Sequence, residues 1–307
     1  MRIAIMAAGA VGGYFGARLH EAGHDVAFIA RGRHLDAIRQ SGLKIESVLG
    51  DLHLKNVNAT DDPAGVGPVD IVIFAVKLWD TEKAGEQTRP LVGPHTCVIT
   101  LQNGVDSVER LTPILGADHV VGGTTHVVTV MPEPGVIRHT SKFAKLTCGF
   151  PDRRNDRNLQ TFVVAAQAAG IEAILSDDIE RDRWQKFIFL AGTSGVTAST
   201  RHPLGPIMAD PDTRAFFRKV MQEVYEIARA KGVAIAEDFV DSQMTFADSI
   251  SPTTKASQLN DLEAGNRLEL DWLAGKVVSL GRELGVPTPA NEAVYAVLKL
   301  HRFGRKG

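Results

Sequence analysis

Along the first half of the chain, short apolar runs alternate with helical patterns. That alternation is the signature of a parallel sheet with crossover helices. The runs predict strands at Ile3–Ala7, Asp25–Ala30, Ile71–Val76, Val98–Leu101 and Val120–Gly122, all β-branched or otherwise apolar, as strands buried on both faces must be. Two stretches read as hairpins that extend this sheet with antiparallel strands. They are "LKIESVLGDLHLKNVNAT", turning at Gly50–Asp51, and "GVIRHTSKFAKLTCGF". After "AILSDDIERDRWQKF" the texture changes to 3.6-residue periodicity, which predicts helices over Asp182–Leu190, Thr213–Lys231, Ala256–Glu263, Glu269–Leu284 and Asn291–Leu300. In the second of these, Phe217, Met221, Val224 and Ala228 share one face. A Ser and two Asp residues at Ser176–Asp178 suit a helix cap, so the division is expected there: an α/β domain over 1–177 and an all-α domain over 178–307.

Composition narrows the class. Lys plus Arg total 34 against 36 Asp plus Glu, so no global field points to nucleic acid or to a membrane. The tail "HRFGRKG" is basic but short and reads as a solvated end. Cys97 and Cys148 each sit in an apolar stretch without metal-ligand spacing, which predicts buried thiols in a reducing compartment and no metal site. Runs such as "IVIFAV" are too short to span a bilayer, and the chain enters a strand pattern at once, leaving no room for a signal peptide. A cytoplasmic location is expected.

The first strand runs into "AAGAVG", residues 7–12, and then an amphipathic helix closing at Gly23 before a second strand. This is the context of a dinucleotide-binding fingerprint with Ala7, Ala8, Gly9, Ala10, Val11 and Gly12 against the cofactor. Gly9 lets the backbone approach a pyrophosphate and Gly12 lets the helix pack on the sheet; Ala7 replaces the glycine of the tight turn. If that position needs positive φ, alanine costs about 1 kcal/mol. An ordinary strand-to-helix turn is the competing account. The second strand ends "FIARGR", with Arg31 where NAD-type sites carry an acid, and a guanidinium there suits the 2′-phosphate of NADPH.

Several stretches, in order along nearly the whole chain, resemble the ketopantoate reductase (2-dehydropantoate 2-reductase) family: "GAVGGYFGARL", "DIVIFAVKLWD", "ITLQNGVDSVE", "GGTTH", "RWQKF" and "KASQLNDLEAGNRLELDWLAG". The resemblance implies an N-terminal Rossmann-type doubly wound sheet followed by an all-α C-terminal domain. It also implies reduction of a 2-keto acid by NADPH in a protein that forms homodimers. Lys186 matches the family's proton donor and Glu269 its acidic residue near the active centre, in contact with cofactor or substrate. Asn103 matches a residue between nicotinamide and substrate, Lys77 an active-site lysine, and Val128 a position whose backbone touches the cofactor. Three of these have a plainer account: Lys186 as a surface lysine, Glu269 as a glutamate early in a helix where it complements the dipole, Asn103 as an Asn-Gly turn. His126 is the alternative general acid.

The chain also departs from the family. Asparagines four and eight residues after the proton-donor lysine become Leu190 and Ser194, while the serine that contacts the substrate carboxylate is matched by Ser257. An apolar wall in place of an amide points to a related but different 2-keto acid, while the resemblance keeps 2-dehydropantoate as the named substrate. Two other functions stay open: a 3-hydroxyacid or 6-phosphogluconate type of dehydrogenase, and a non-catalytic NADPH-binding redox sensor.

Overall fold

The computed structural model describes residues 1–305; Lys306 and Gly307 of the basic tail lie outside the described residues. Contacts divide the chain into two compact units, one of Met1–Gln102 with Asp106–Asp182, the other of Asn103–Val105 with the residues from Arg183 on.

The first unit is built on an eight-stranded sheet. Its order across the sheet is Glu172–Leu175, Lys145–Gly149, Val120–His126, Val92–Thr100, Val69–Phe74, Arg2–Met6, Asp25–Ile29 and Asn58–Thr60. Every pairing from Val120–His126 to Asn58–Thr60 is parallel, and only Lys145–Gly149 against Val120–His126 is antiparallel. Alternate side chains feed two separate cores, as the two-residue period of a strand requires. Ile3, Ile5, Ile71 and Ile73 enter the core on one face, while Ala4, Met6, Val72 and Phe74 enter the core on the other. From Arg2–Met6 the chain turns to Asp25–Ile29 on one side and later returns to Val69–Phe74 on the other. That makes a switch point at the carboxyl end of the first strand, where such sheets bind ligands.

Neither stretch enters this sheet as a hairpin, though Lys145–Gly149 from the second does join it as an antiparallel strand beside Val120–His126. Leu43–Ser47 and Leu52–Leu54 do pair antiparallel around Gly50, which has φ +105°, but they belong to a second sheet of four strands. Only Asn58–Thr60 reaches the main sheet, and it joins parallel to Asp25–Ile29. In the other stretch the two strands never pair. Val136–His139 goes to the small sheet beside Leu43–Ser47 and Thr129–Glu133, while Lys145–Gly149 joins the main sheet. The connector "TSKFA" holds no glycine or asparagine to reverse the chain tightly. Its Thr140 N–H donates instead to the Val128 carbonyl, and Ser141 Oγ accepts from the Val128 N–H.

The second unit is helical. After the helix Ile179–Thr200 come Leu204–Ala209, Pro211–Ala230, Phe239–Ser249, Ser257–Ala264, Ala274–Leu284 and Pro289–Leu298. Phe217, Met221, Val224 and Ala228 are fully buried. The Ile179–Thr200 helix runs ten residues past its expected end, because its second half, "AGTSGVTAST", is poor in helix formers and local propensity does not reveal its helicity. Packing compensates: a Cβ at Gly192 would lie 2.8 Å from Met221, so the glycine permits close helix approach. The Thr193, Thr197 and Thr200 hydroxyls donate back to carbonyls one turn earlier. The expected helix Glu269–Leu284 is shorter, starting at Ala274, because Leu273 (φ −101°, ψ −100°) is not helical. Glu269 therefore does not sit in a helix's first turn, and its expected role as a dipole partner does not hold.

Glu223 organises the end of this unit. Its buried carboxylate accepts from the N–H groups of Ala290 (2.7 Å) and Asn291 (2.9 Å) and from Asn291 Nδ2 (2.8 Å), occupying the start of Pro289–Leu298. Buried donors left without an acceptor are costly. Glu223→Ala should lower stability by about 2–4 kcal/mol, read as a shift in denaturant midpoint; an unchanged midpoint would show that water replaces the carboxylate at no cost.

Candidate active site

The turn after the first strand carries the sequence's strongest signal, and its backbone explains each residue. Ala7 has φ +72°, the left-handed conformation that a glycine adopts without strain. Ala8 is buried and its N–H donates to the Ile29 carbonyl at 2.8 Å, tying the turn to the second strand. Gly9 precedes helix Ala10–Glu21, and a Cβ built on it would meet nothing within 4 Å. Gly12 is the opposite case: a Cβ there would lie 2.5 Å from the Ala7 carbonyl oxygen and 2.9 Å from Ile5. The two glycines thus have different jobs, one leaving open space above the helix N-terminus and one allowing the helix onto the sheet. Ala10 and Val11 open the helix, where N–H groups have no intrahelical acceptor.

A concavity is lined by Ala7, Ala8, Gly9, Arg31, His34 and Asp61, among others. Arg31 caps the helix Gly32–Ser41 and keeps its guanidinium largely exposed, 3.4 Å from the Asp80 carboxylate. An exposed pair of this kind contributes little and releases its arginine readily. Lys77 follows the strand Val69–Phe74 and places its ammonium 5.7 Å from the Trp79 ring. Val128 is half exposed, with both backbone groups engaged by Thr140 and Ser141. His126 ends the strand Val120–His126, exposed and in register with Lys145. His34 was not among the sequence candidates, though its spacing of three from Arg31 on one helix turn puts both on the same face.

In the second unit three polar residues from distant parts of the chain converge. Lys186 Nζ donates to Asn103 Oδ1 (3.4 Å), and Asn103 Nδ2 donates to Glu269 Oε2 (3.5 Å). Asn103 lies in a turn closed by Gly104 at φ +79°, so it serves the Asn-Gly turn and the polar group together. Lys186 rises from a helix whose neighbouring Trp184 and Phe187 are buried. Burial pushes the lysine down to about 8, against the opposing pull of the Glu269 charge. Glu269 is itself buried, in a turn whose carbonyl accepts from Trp272 and Leu273.

Leu190 is half-buried one turn beyond Lys186. Ser194, a further turn on and about 12 Å from Lys186 along the axis, is buried with no hydrogen-bond partner for its hydroxyl among the described residues. Gln258 bonds its carbonyl at 3.3 Å. Ser257 is exposed at the first position of Ser257–Ala264.

The family model "Ketopantoate reductase PanE/ApbA" matches residues 3–152, and "Ketopantoate reductase PanE/ApbA C terminal" matches residues 178–302. The chain belongs to the ketopantoate reductase family. It is 32% identical to a 2-dehydropantoate 2-reductase of Mesorhizobium japonicum, over 97% of each chain. It is 29% identical to an uncharacterized oxidoreductase, YkpB, of Bacillus subtilis, over 98% of this chain and 99% of that one. The crystal structure of 2-dehydropantoate 2-reductase from Geobacter metallireducens superposes with a TM-score of 0.92 at 32% identity, covering 98% of this chain and 99% of that one.

As a ketopantoate reductase family member, the protein is an oxidoreductase acting on CH–OH groups. Among the described residues, no group of His, Cys, Asp and Glu is arranged to hold a metal ion, and no helix is long and apolar enough to cross a membrane. Cys97 and Cys148 are buried, free thiols, both pushed up by burial, Cys148 to about 12. Neither is a nucleophile at neutral pH.

The turn yields a direct test. Ala7→Gly relieves the left-handed strain at φ +72°, partly offset by the freer unfolded chain, and should raise stability by up to about 1 kcal/mol. A lower midpoint in thermal unfolding would show that the Ala7 methyl makes a needed contact.

Proposed function

We propose that this reductase converts a 2-keto acid to the 2-hydroxy acid with NADPH, 2-dehydropantoate being the named substrate its relatives favour. The observation that carries the reading is the Lys186–Asn103–Glu269 group, a lysine tuned to about 8 and held by an oriented amide.

The first unit's residues suit a dinucleotide. The open space over Gly9 and the first N–H groups of Ala10–Glu21 would take the pyrophosphate, and Arg31 in the same concavity would take the 2′-phosphate. Lys77 is assigned to the same ligand; Val128, its backbone N–H and carbonyl engaged by Ser141 and Thr140, would meet it through its half-exposed side chain. NADPH supplies the hydride. Asp61 lines the same concavity and favours a second reading in which ribose hydroxyls, and so NADH, are accepted.

Hydride addition to a ketone leaves negative charge on its oxygen, which must be met as it forms. Lys186 has three N–H groups; one is directed at Asn103 Oδ1, leaving capacity for the substrate oxygen. The ammonium donates its proton to that oxygen and becomes a neutral amine, so the ketone carbon gains a hydride and the oxygen a proton. A value near 8 makes that release easy at neutral pH while keeping the group mostly protonated beforehand. Asn103 fixes the lysine in place, since its other end is committed to Glu269. Ser257 is assigned to the substrate carboxylate and Ser194 to the distal end of the substrate. Leu190 gives the intervening wall an apolar character that selects the side chain of the 2-keto acid. A panel of 2-keto acids assayed by NADPH oxidation tests the reading; no turnover with any of them would overturn it.

Lys186→Ala should bind cofactor normally and lose about 10²–10⁴-fold in kcat on the best substrate, because proton transfer acts in the transition state. Wild-type kcat in that variant would pass the donor role to His126. Reduction needs the protonated lysine, so kcat/KM should fall as pH rises above about 8. The Glu269 charge stabilises the ammonium, so in Glu269→Gln this fall should begin at lower pH; a shift the other way would remove Glu269 from the site. Arg31→Ala should weaken NADPH strongly and NADH little, measured by calorimetry. Equal losses would remove the 2′-phosphate assignment.

A further inference from the structure

His34 lies on the first turn of Gly32–Ser41, between two backbone segments far apart in sequence. Its Nε2 is 2.7 Å from the Ala8 carbonyl oxygen, and its Nδ1 is 3.0 Å from the Gly135 amide nitrogen. A carbonyl oxygen only accepts and an amide N–H only donates, so the two contacts assign the imidazole. It is neutral, with its proton on Nε2 directed at Ala8 and its Nδ1 lone pair taken by Gly135.

The Gly135 side of this bridge is tied into the small sheet. Gly135 turns at φ +83° between the paired strands Thr129–Glu133 and Val136–His139, and its carbonyl accepts from Lys44 N–H at 2.9 Å. The other end of the bridge is the peptide joining Ala8 to Gly9. In a planar trans peptide the C=O and N–H point in opposite directions. Holding the Ala8 oxygen toward His34 therefore aims the Gly9 N–H away from His34, at the side where a Cβ on Gly9 would meet no atom. Ala8 is then fixed at both ends, its N–H by Ile29 and its C=O by His34.

We propose that His34 is the positioning residue of the pyrophosphate site, acting through the Ala8–Gly9 peptide and not by touching the 2′-phosphate. This stands on the dinucleotide assignment made above. In a turn where Ala7 replaces the more permissive glycine and holds a left-handed φ, the bridge supplies the orientation that the turn's own sequence leaves strained.

The test is affinity for NADPH and NADH, by calorimetry, in wild type and three variants, with thermal unfolding as the folding control. His34→Leu removes the donor. His34→Asn keeps an acceptor near Gly135 but is too short to reach Ala8. His34→Gln carries an amide N–H long enough to reach Ala8. Leu and Asn should each weaken NADPH and NADH by the same factor, on the order of tenfold, with kcat at saturating cofactor retained, while Gln keeps most of the affinity. If Leu does not fold, Asn against Gln makes the same comparison. A loss confined to NADPH would make His34 a 2′-phosphate ligand and overturn the proposal. So would wild-type affinity in Leu and Asn, or equal losses in Gln and Asn. Failure of the wild type to bind either cofactor would instead overturn the dinucleotide assignment, and this inference with it.

Discussion

A parallel sheet has to be covered on both faces, and that constraint arranges the first unit. Ile3 and Ile5 go to one core while Ala4 and Met6 go to the other, so Arg2–Met6 cannot slip by one residue without exchanging its two faces. With the register held, the parallel strands end on one edge, and the residues that follow them emerge there: Ala7 after the first, Arg31 just after the second, Lys77 after Val69–Phe74. The packing that stabilises the sheet also places that edge. Gly12 shows the cost margin directly, because a single Cβ at 2.5 Å from the Ala7 oxygen would push the helix off the turn.

In the second unit the governing effect is electrostatic. Burial makes the Lys186 ammonium easier to deprotonate, and the Glu269 charge limits how far that goes. Asn103 links the two with its amide oriented by chemistry, oxygen toward the cation and nitrogen toward the carboxylate. A group balanced in this way releases a proton near neutral pH and still carries it beforehand. The helices serve that balance. Ile179–Thr200 carries threonine hydroxyls bonded back to its own carbonyls and glycines that admit neighbouring side chains closely, and it presents Lys186, Leu190 and Ser194 at successive turns.

His34 and Lys186 illustrate the same economy of means at two places. Each side chain is oriented by a hydrogen-bond partner that a distant segment of the chain supplies. The Gly135 turn fixes His34 from 101 residues away, and Asn103 fixes Lys186 from 83 residues away.

The sequence by itself determined whatever rests on periodicity and local backbone chemistry. Alternating apolar runs marked the five central strands, the 3.6-residue pattern marked the face of Phe217, Met221, Val224 and Ala228, and "AAGAVG" marked the turn with its glycines in distinct roles. The ordered motifs marked the family. Tertiary structure decided what depends on partners remote in sequence. Nothing in "GVIRHTSKFAKLTCGF" reveals that its two strands go to different sheets, because pairing is chosen by the neighbours available and not by the strand alone. Nothing in "LELDW" shows that Glu269 precedes its helix, since the break at Leu273 is a backbone conformation, not a residue type. The helical run through "AGTSGVTAST" was hidden by low propensity and is held by packing. His34 carries no motif. Its role exists only where Ala8 and Gly135 are brought to either side of one imidazole.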